Sequence, residues 1–239
     1  MTPLPVPSRP VCAVVGIGPG NGEAFARLFA AEGYAVALLS RRMELSARLA
    51  EELPQARAYV CDVGDAASVE AAFGRIAAEM GAIDVMIFNA GRGVWGTIEA
   101  VTAADFEDAW RINTLGLFLT SQQVIPTMKA RKQGSIVVVG ATASLRGMPG
   151  TAAFAPAKAA QRILAQSMAR HLGPQGVHVS LIIVDGAVGG PVTRARQPDR
   201  PEDTYMDPAA IAGIALGLVR QDRSAWSFEV DARPFNEKW

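Results

Sequence analysis

The chain has little of three residue types that commonly carry enzyme chemistry: two histidines, two cysteines and three tyrosines among 239 residues. Cys12 and Cys61 each lie inside an apolar run that reads as a buried strand, which argues against a disulfide framework and favours a reducing cytoplasm. Without a Cys/His cluster, no metal site is expected. His171 falls at a predicted helix end, where it complements the dipole, and His178 opens a strand remote from the expected site. Charge of one sign is also missing. Lys and Arg balance Asp and Glu at 23 each, so there is no global basic field to attract nucleic acid, and Arg194, Arg196 and Arg200 read as a solvated loop. No apolar run approaches the length of a membrane span. The opening segment, with Pro3, Pro5, Pro7 and Pro10, lacks the basic start and apolar stretch of an export signal. The expectation is a cytoplasmic protein with a small-molecule substrate and no nucleic-acid, membrane or metal partner.

What is present supports a sizeable core: 50% of the residues are hydrophobic and 19% charged. No Ser-rich, Pro-rich or charged linker divides the chain, so residues 1–239 read as a single domain. Short apolar runs alternate with longer amphipathic ones, the pattern of parallel strands joined by crossover helices. Strands are predicted near 11–15, 35–39, 58–61, 85–88, 135–139, 177–184 and 228–230, and helices over 22–32, 44–53, 66–80, 104–129, 153–172 and 208–219. The fold class is therefore α/β, a doubly wound, seven-stranded parallel sheet of Rossmann type. Asp65 is placed to cap one helix, and Thr102 with Asp105 resembles a capping box. The long segment 189–207, rich in Pro and Arg, reads as an irregular substrate loop that is mobile without ligand.

The first strand runs into Gly16-Ile17-Gly18-Pro19-Gly20-Asn21-Gly22 and then a helix. Such a turn brings bare backbone and a helix N-terminus to the sheet edge, which suits a pyrophosphate; a tight strand-to-helix turn is the structural alternative. After the second strand stands Ser40-Arg41-Arg42 instead of an acidic residue for ribose hydroxyls. Guanidinium matches a 2′-phosphate, so NADP(H) is preferred, with NAD(H) still admitted; the alternative is that both arginines only solvate a helix start. Asp62-Val63 follows the third strand, where Asp62 either accepts from an adenine amino group or serves the turn.

With Gly16, Gly20 and Gly22 in a Gly-x-x-x-Gly-x-Gly spacing, Asn89-Ala90-Gly91 after the fourth strand, Asn113 in a long helix and Lys158, the chain resembles the short-chain dehydrogenase/reductase family over nearly its whole length. The resemblance implies that Asn89, Ala90 and Gly91 lie against the cofactor and that Asn113 holds a water in a proton relay. It also implies that Lys158 holds the nicotinamide ribose. Gly186 and Val188 then stand at the nicotinamide end of the site. Three positions depart from the family pattern. Phe154 replaces the catalytic Tyr, Ala141 replaces the Ser, and Asp185-Gly186 followed by Gly190 replaces a Pro-Gly and downstream Thr. Phe cannot exchange a proton and Ala cannot polarise a carbonyl. Thr142, Ser144 and Tyr205 are the candidate substitutes, against their ordinary use in serving the backbone.

Two functions are compatible with these residues: an NADP(H)-dependent oxidoreductase acting on a small carbonyl or activated C=C compound without the usual tyrosine, or a weakly active or inactive nucleotide sensor or partner subunit. The two long helices are apolar on more than one face, which suggests a homodimer or homotetramer. The tail 233–239, with Phe235 and Trp239, is expected at an interface or near the substrate opening.

Overall fold

In the computed structural model, which describes residues 9–237, the apolar runs form strands β1 (Val11–Val15), β2 (Ala35–Ser40), β3 (Ala56–Val60), β4 (Ile83–Phe88), β5 (Gly134–Val139) and β6 (Val177–Val184), followed by the two-residue β7 (Ala187–Val188) and β8 (Tyr205–Met206) and by β9 (Glu229–Ala232). The helices are α1 (Asn21–Ala31), α2 (Met43–Glu52), α3 (Ala66–Glu79), α4 (Ala103–Trp110), α5 (Gly116–Arg131), α6 (Phe154–Leu172), α7 (Pro191–Arg196) and α8 (Pro208–Val219). Seven strands pair in the order β3-β2-β1-β4-β5-β6-β9, every pair parallel. The Rossmann-like sheet expected from the alternating pattern is the fold.

The strands are near-continuous apolar runs because both faces of the sheet are covered. Successive side chains go to opposite sides: Val11, Ala13 and Val15 join Val69, Phe73, Ile76, Leu117 and Met168, whereas Cys12 and Val14 join Phe25, Phe29, Leu49, Ile211 and Ala215. The i, i+4, i+7 spacing of Val69, Phe73 and Ile76 turns one face of α3 to the sheet. Asp65 accepts from Ala67 N and Thr102 from Asp105 N, so both predicted caps start helices. Strand order reverses between β1 and β4, which opens a crevice beyond their carboxyl ends. Both cysteines are buried and free, and burial pushes the Cys61 thiol up to about 12. Among the described residues, no helix is long and apolar enough to cross a membrane and no group of metal-ligating side chains is assembled.

The structure corrects two predicted elements. The long helix over 104–129 is α4 and α5 joined by a π turn at Arg111–Leu115. Asn113 explains part of this: its side-chain Nδ2 donates to Ala109 O at 2.8 Å, taking the carbonyl that its own backbone N–H would meet in an α-helix. The segment 189–207 is not irregular throughout. It holds α7, and β7 pairs with β8 through Ala187 with Tyr205 and Val188 with Met206. Elements this short leave no periodicity in a sequence. The described part of the tail lies along the same segment, with Pro234 and Met206 both against Gly186, Asn236 donating to Asp203 at 3.4 Å, and Phe235 exposed. Trp239 lies outside the described residues.

Candidate functional site

The glycine turn is built so that only bare backbone fits. Gly16 has φ near +100°, and a Cβ there would lie 2.4 Å from Ala90 N. Gly16 N and Ile17 N both donate to Leu39 O, at 2.9 and 3.0 Å, and Asn89 Nδ2 donates to Gly16 O at 2.7 Å, tying the end of β4 to the turn. A Cβ on Gly22 would come within 2.6 Å of Gly16 O, so α1 starts in close contact with β1. A Cβ on Gly18, by contrast, would meet nothing within 4 Å. That open side lies at the N-terminus of an eleven-residue helix with Gly20 as its N-cap, where backbone N–H groups and the helix dipole suit an anion. Asn21 at the helix start has a buried Oδ1 with no partner. In the sequence it reads as a spacer between glycines, although a polar side chain at a glycine-rich turn is the available signal.

A cleft of about 280 Å³ runs from this turn across the ends of β2 and β3 to Asn89, Ala90 and Gly91. Ile17, Leu39, Val63 and Ile112 make its apolar walls, and Ser40 and Arg41 its rim. Arg41 and Arg42 are exposed, and Arg42, the N-cap of α2, is not part of the lining. The Ser40 hydroxyl faces inward, bonded to Arg42 O at 2.7 Å and to Ser46 Oγ at 2.8 Å. Asp62 accepts from Gly64 N at 3.0 Å, which is a turn role.

At the other end of the cleft the π turn and α6 bring Asn113 and Lys158 together. A Cβ on Gly91 would lie 3.2 Å from Asn113 Oδ1 and 3.8 Å from Lys158 Nζ, so both polar atoms face the same bare backbone. Asn113 is fully buried; its Nδ2 donates to Arg92 O and Ala109 O, and its Oδ1 has no partner. Lys158 is buried and donates to Val139 O and to Gln161 Oε1, each at 3.0 Å. Burial holds its ammonium down at about 8. An unpaired buried acceptor beside a buried ammonium, at a backbone with no side chain, suits a ligand carrying sugar hydroxyls and fits the nucleotide implied by the glycine turn.

Phe154 opens α6 on the same face as Lys158, with Nζ 6.0 Å from its ring centroid, and Trp95 stacks obliquely on it at 5.1 Å. The two rings form an aromatic pair at the start of α6. Ala141 is in extended backbone just before the Thr142–Ser144 turn. The three candidate hydroxyls all have other partners. Thr142 donates to Asp185, Ser144 to Ala141 O at 2.7 Å, and Tyr205 to Gln197 O at 2.7 Å. Tyr205 is further held between Arg194 and Arg200, whose guanidinium carbons lie 4.6 and 5.6 Å from its ring centroid. Arg194 also pairs with Glu202 inside the loop, and Arg200 reaches Glu237 of the tail at 3.9 Å. Gly186 sits under Pro234, and Val188, in β7, packs toward the apolar layer that contains α1 and α8. Gln161 and Trp95 were missed from the sequence. Gln161 had a signal, a polar residue three positions after Lys158 on an Ala-rich helix face; Trp95, in an irregular stretch, had none.

Residues 10–201 match the family model described as short chain dehydrogenase. The 2-(R)-hydroxypropyl-CoM dehydrogenase of Xanthobacter autotrophicus is 32% identical over 229 residues, covering 91% of this chain and 90% of its own. Oxidoreductase UcpA of Salmonella typhimurium is 33% identical over 205 residues, covering 82% and 77%. Among solved structures, a short-chain dehydrogenase from Rhodopseudomonas palustris superposes with a TM-score of 0.81 at 35% identity, over 94% of this chain and 98% of that one. An alcohol dehydrogenase from Thermococcus sibiricus, complexed with 5-hydroxy-NADP, reaches 0.87 at 24% identity over 96% and 98%, a likeness of fold. The glycine turn, the Asn89-Ala90-Gly91 edge and the Asn113–Lys158 pair thus occur in a chain that matches the family model over most of its length, and the protein belongs to the short-chain dehydrogenase family as an oxidoreductase of that type.

Proposed function

We propose that the chain binds NADP(H) and reduces or oxidises a small carbonyl or activated C=C compound without a tyrosine acid. The observation that carries this reading is the buried, unpaired Asn113 Oδ1 beside the Lys158 ammonium at Gly91. A nicotinamide held there supplies or accepts a hydride. Lys158 donates to a sugar hydroxyl and Asn113 Oδ1 accepts from one, while the open side of Gly18 and the start of α1 face the pyrophosphate. Phe154 and Trp95 form an apolar wall beside Lys158. The proton has no donor in Phe154 or Ala141, and Thr142, Ser144 and Tyr205 give theirs to Asp185, Ala141 O and Gln197 O. Hydride addition to an activated C=C leaves a delocalised anion that water can protonate afterwards, whereas addition to a carbonyl leaves an alkoxide that needs an acid as it forms, which favours an activated C=C substrate. The same committed hydroxyls favour the second reading, a cofactor-binding protein with little or no turnover.

Titration with NADPH and NADH, followed by thermal shift and intrinsic fluorescence, tests binding; stabilisation by neither nucleotide defeats both readings. Stopped-flow oxidation of NADPH against enones, aldehydes and ketones then separates them, since a sensor consumes no NADPH with any substrate. Arg41 at the cleft rim carries the preference for a 2′-phosphate. Replacing it with Ala is expected to weaken NADPH about 10- to 100-fold, the worth of a charge-assisted hydrogen bond of ~1.5–3 kcal/mol, with NADH little changed. Equal loss for both nucleotides would remove Arg41 from phosphate recognition.

Affinity is also expected to depend on pH. The Lys158 ammonium is charged below about 8 and loses its proton as pH rises through that value, so NADPH binding weakens above it. A flat profile in Lys158→Met, measured alongside, would assign the fall to this side chain. The exposed Phe106 and Trp110 on α4 and Phe118 on α5 give the self-association surface we expect for a homodimer or homotetramer, to be read by light scattering.

A further inference from the structure

Lys158 is a buried ammonium that forms no ion pair among the described residues, and burial lowers its pKa. A cation so placed needs neutral acceptors aimed at it. Two are present. Val139 O, at the end of β5, and Gln161 Oε1, one turn further along α6, each accept from Nζ at 3.0 Å. An ammonium has three N–H donors, so one remains, on the side of Gly91 and the unpaired Asn113 Oδ1. Gln161 is itself fully buried, and its amide is used at both ends: Nε2 donates to Asn113 O at 2.9 Å. One side chain therefore joins the lysine to the backbone of the π turn that carries Asn113.

We infer that Gln161 is a positioning residue that fixes the direction of the Lys158 ammonium and couples it to the π turn, so that the free N–H and Asn113 Oδ1 face the cofactor sugar together. The inference rests on the proposed nucleotide reading. The bonds themselves are a property of the chain. A shorter or apolar side chain at position 161 leaves Asn113 O without this donor and lets the lysine rotate toward Val139 alone. A Glu keeps the acceptor for Nζ, loses the donor to Asn113 O and adds a negative charge beside the ammonium.

Two variants, Gln161→Glu and Gln161→Leu, test this against a purely structural role, with two measurements on each. The first is the protonation midpoint of Lys158 in the nucleotide-free protein, by NMR of isotope-labelled lysine assigned through Lys158→Met. The second is NADPH affinity as a function of pH. Positioning predicts that Gln161→Glu raises the midpoint by about one unit or more, the effect of an opposite charge in contact, and shifts the weakening of NADPH binding upward with it. Gln161→Leu lowers the midpoint and weakens NADPH about tenfold at neutral pH, the loss of one hydrogen bond to a charged group. A merely structural glutamine lowers melting temperature in both variants and leaves both midpoints where they are, and that result overturns the inference. If the Leu variant does not fold, the Glu variant, nearly identical in shape, decides by the same midpoint. A wild-type chain that binds neither nucleotide defeats the cofactor reading and the aim assigned to Lys158 with it. Normal wild-type binding with unmoved midpoints defeats the role of Gln161 alone.

Discussion

The double change Ala141→Ser with Phe154→Tyr is expected to raise NADPH-dependent reduction of ketones or aldehydes by about 10²- to 10⁴-fold, the contribution of a positioned general acid, equivalent to ~3–5.5 kcal/mol of barrier. The geometry is already prepared for it. Phe154 sits at the first turn of α6 on the face of Lys158, and Nζ lies 6.0 Å from its ring centroid, so a phenol there would stand beside a buried cation that favours its ionised form. Ala141 precedes the 142–144 turn in extended backbone, and a serine adds one hydroxyl at a partly buried position. The single changes should gain much less, because the acid and the group that polarises the carbonyl oxygen act on one atom. Steady-state NADPH oxidation over a carbonyl panel checks this. An unchanged rate in a folded, NADPH-binding double variant would mean that no carbonyl is held at this point, and would leave C=C reduction or sensing.

The second large effect concerns the fold and the binding site at once. Gly16→Val is expected to destabilise the protein by about 3–5 kcal/mol, because its backbone is left-handed and a Cβ would lie 2.4 Å from Ala90 N. In a domain of this size that corresponds to a fall in melting temperature of roughly 6–20 °C. Nucleotide binding should be lost with it, since Asn89 Nδ2 and Leu39 O both meet this turn. Gly18→Ala is the contrast. A Cβ there meets nothing within 4 Å, so the nucleotide-free melting temperature should stay within about 2 °C of wild type while NADPH affinity falls. A Gly18→Ala protein that binds NADPH normally would show that the open side of the turn is not where the pyrophosphate lies.

The glycine turn was legible from sequence because every part of it is local: an apolar strand, a run of glycines and a helix within about a dozen residues. The parallel sheet was legible for a related reason, since burial of both faces makes each strand a continuous apolar run. Strand ends moved by a residue or two, as at β3 and β9, where Val60 is exposed and Glu229 and Asp231 interrupt the apolar pattern. The π turn between α4 and α5 was not legible. An inserted π turn leaves the amphipathic pattern nearly unchanged, and only the bond from the Asn113 side chain to Ala109 O marks it.

The chemistry of the site divides along the same line. Residue identity was sufficient to exclude proton transfer by Phe154 or Ala141, since no environment gives a benzene ring or a methyl group an exchangeable proton. Whether Thr142, Ser144 or Tyr205 stands in for them depends on where each hydroxyl points. That required Asp185, 43 residues from Thr142, and Gln197 O across the 189–207 segment. The clamp on Lys158 likewise joins α6 to Asn113, 48 residues before Gln161, and to the end of β5. Periodicity, composition and the chemistry open to each side chain could be read from the sequence by itself, because those are properties of short segments. The tertiary structure was needed for hydrogen-bond partners brought together by chain crossings, because the direction of a buried donor is set by whatever distant backbone packs against it.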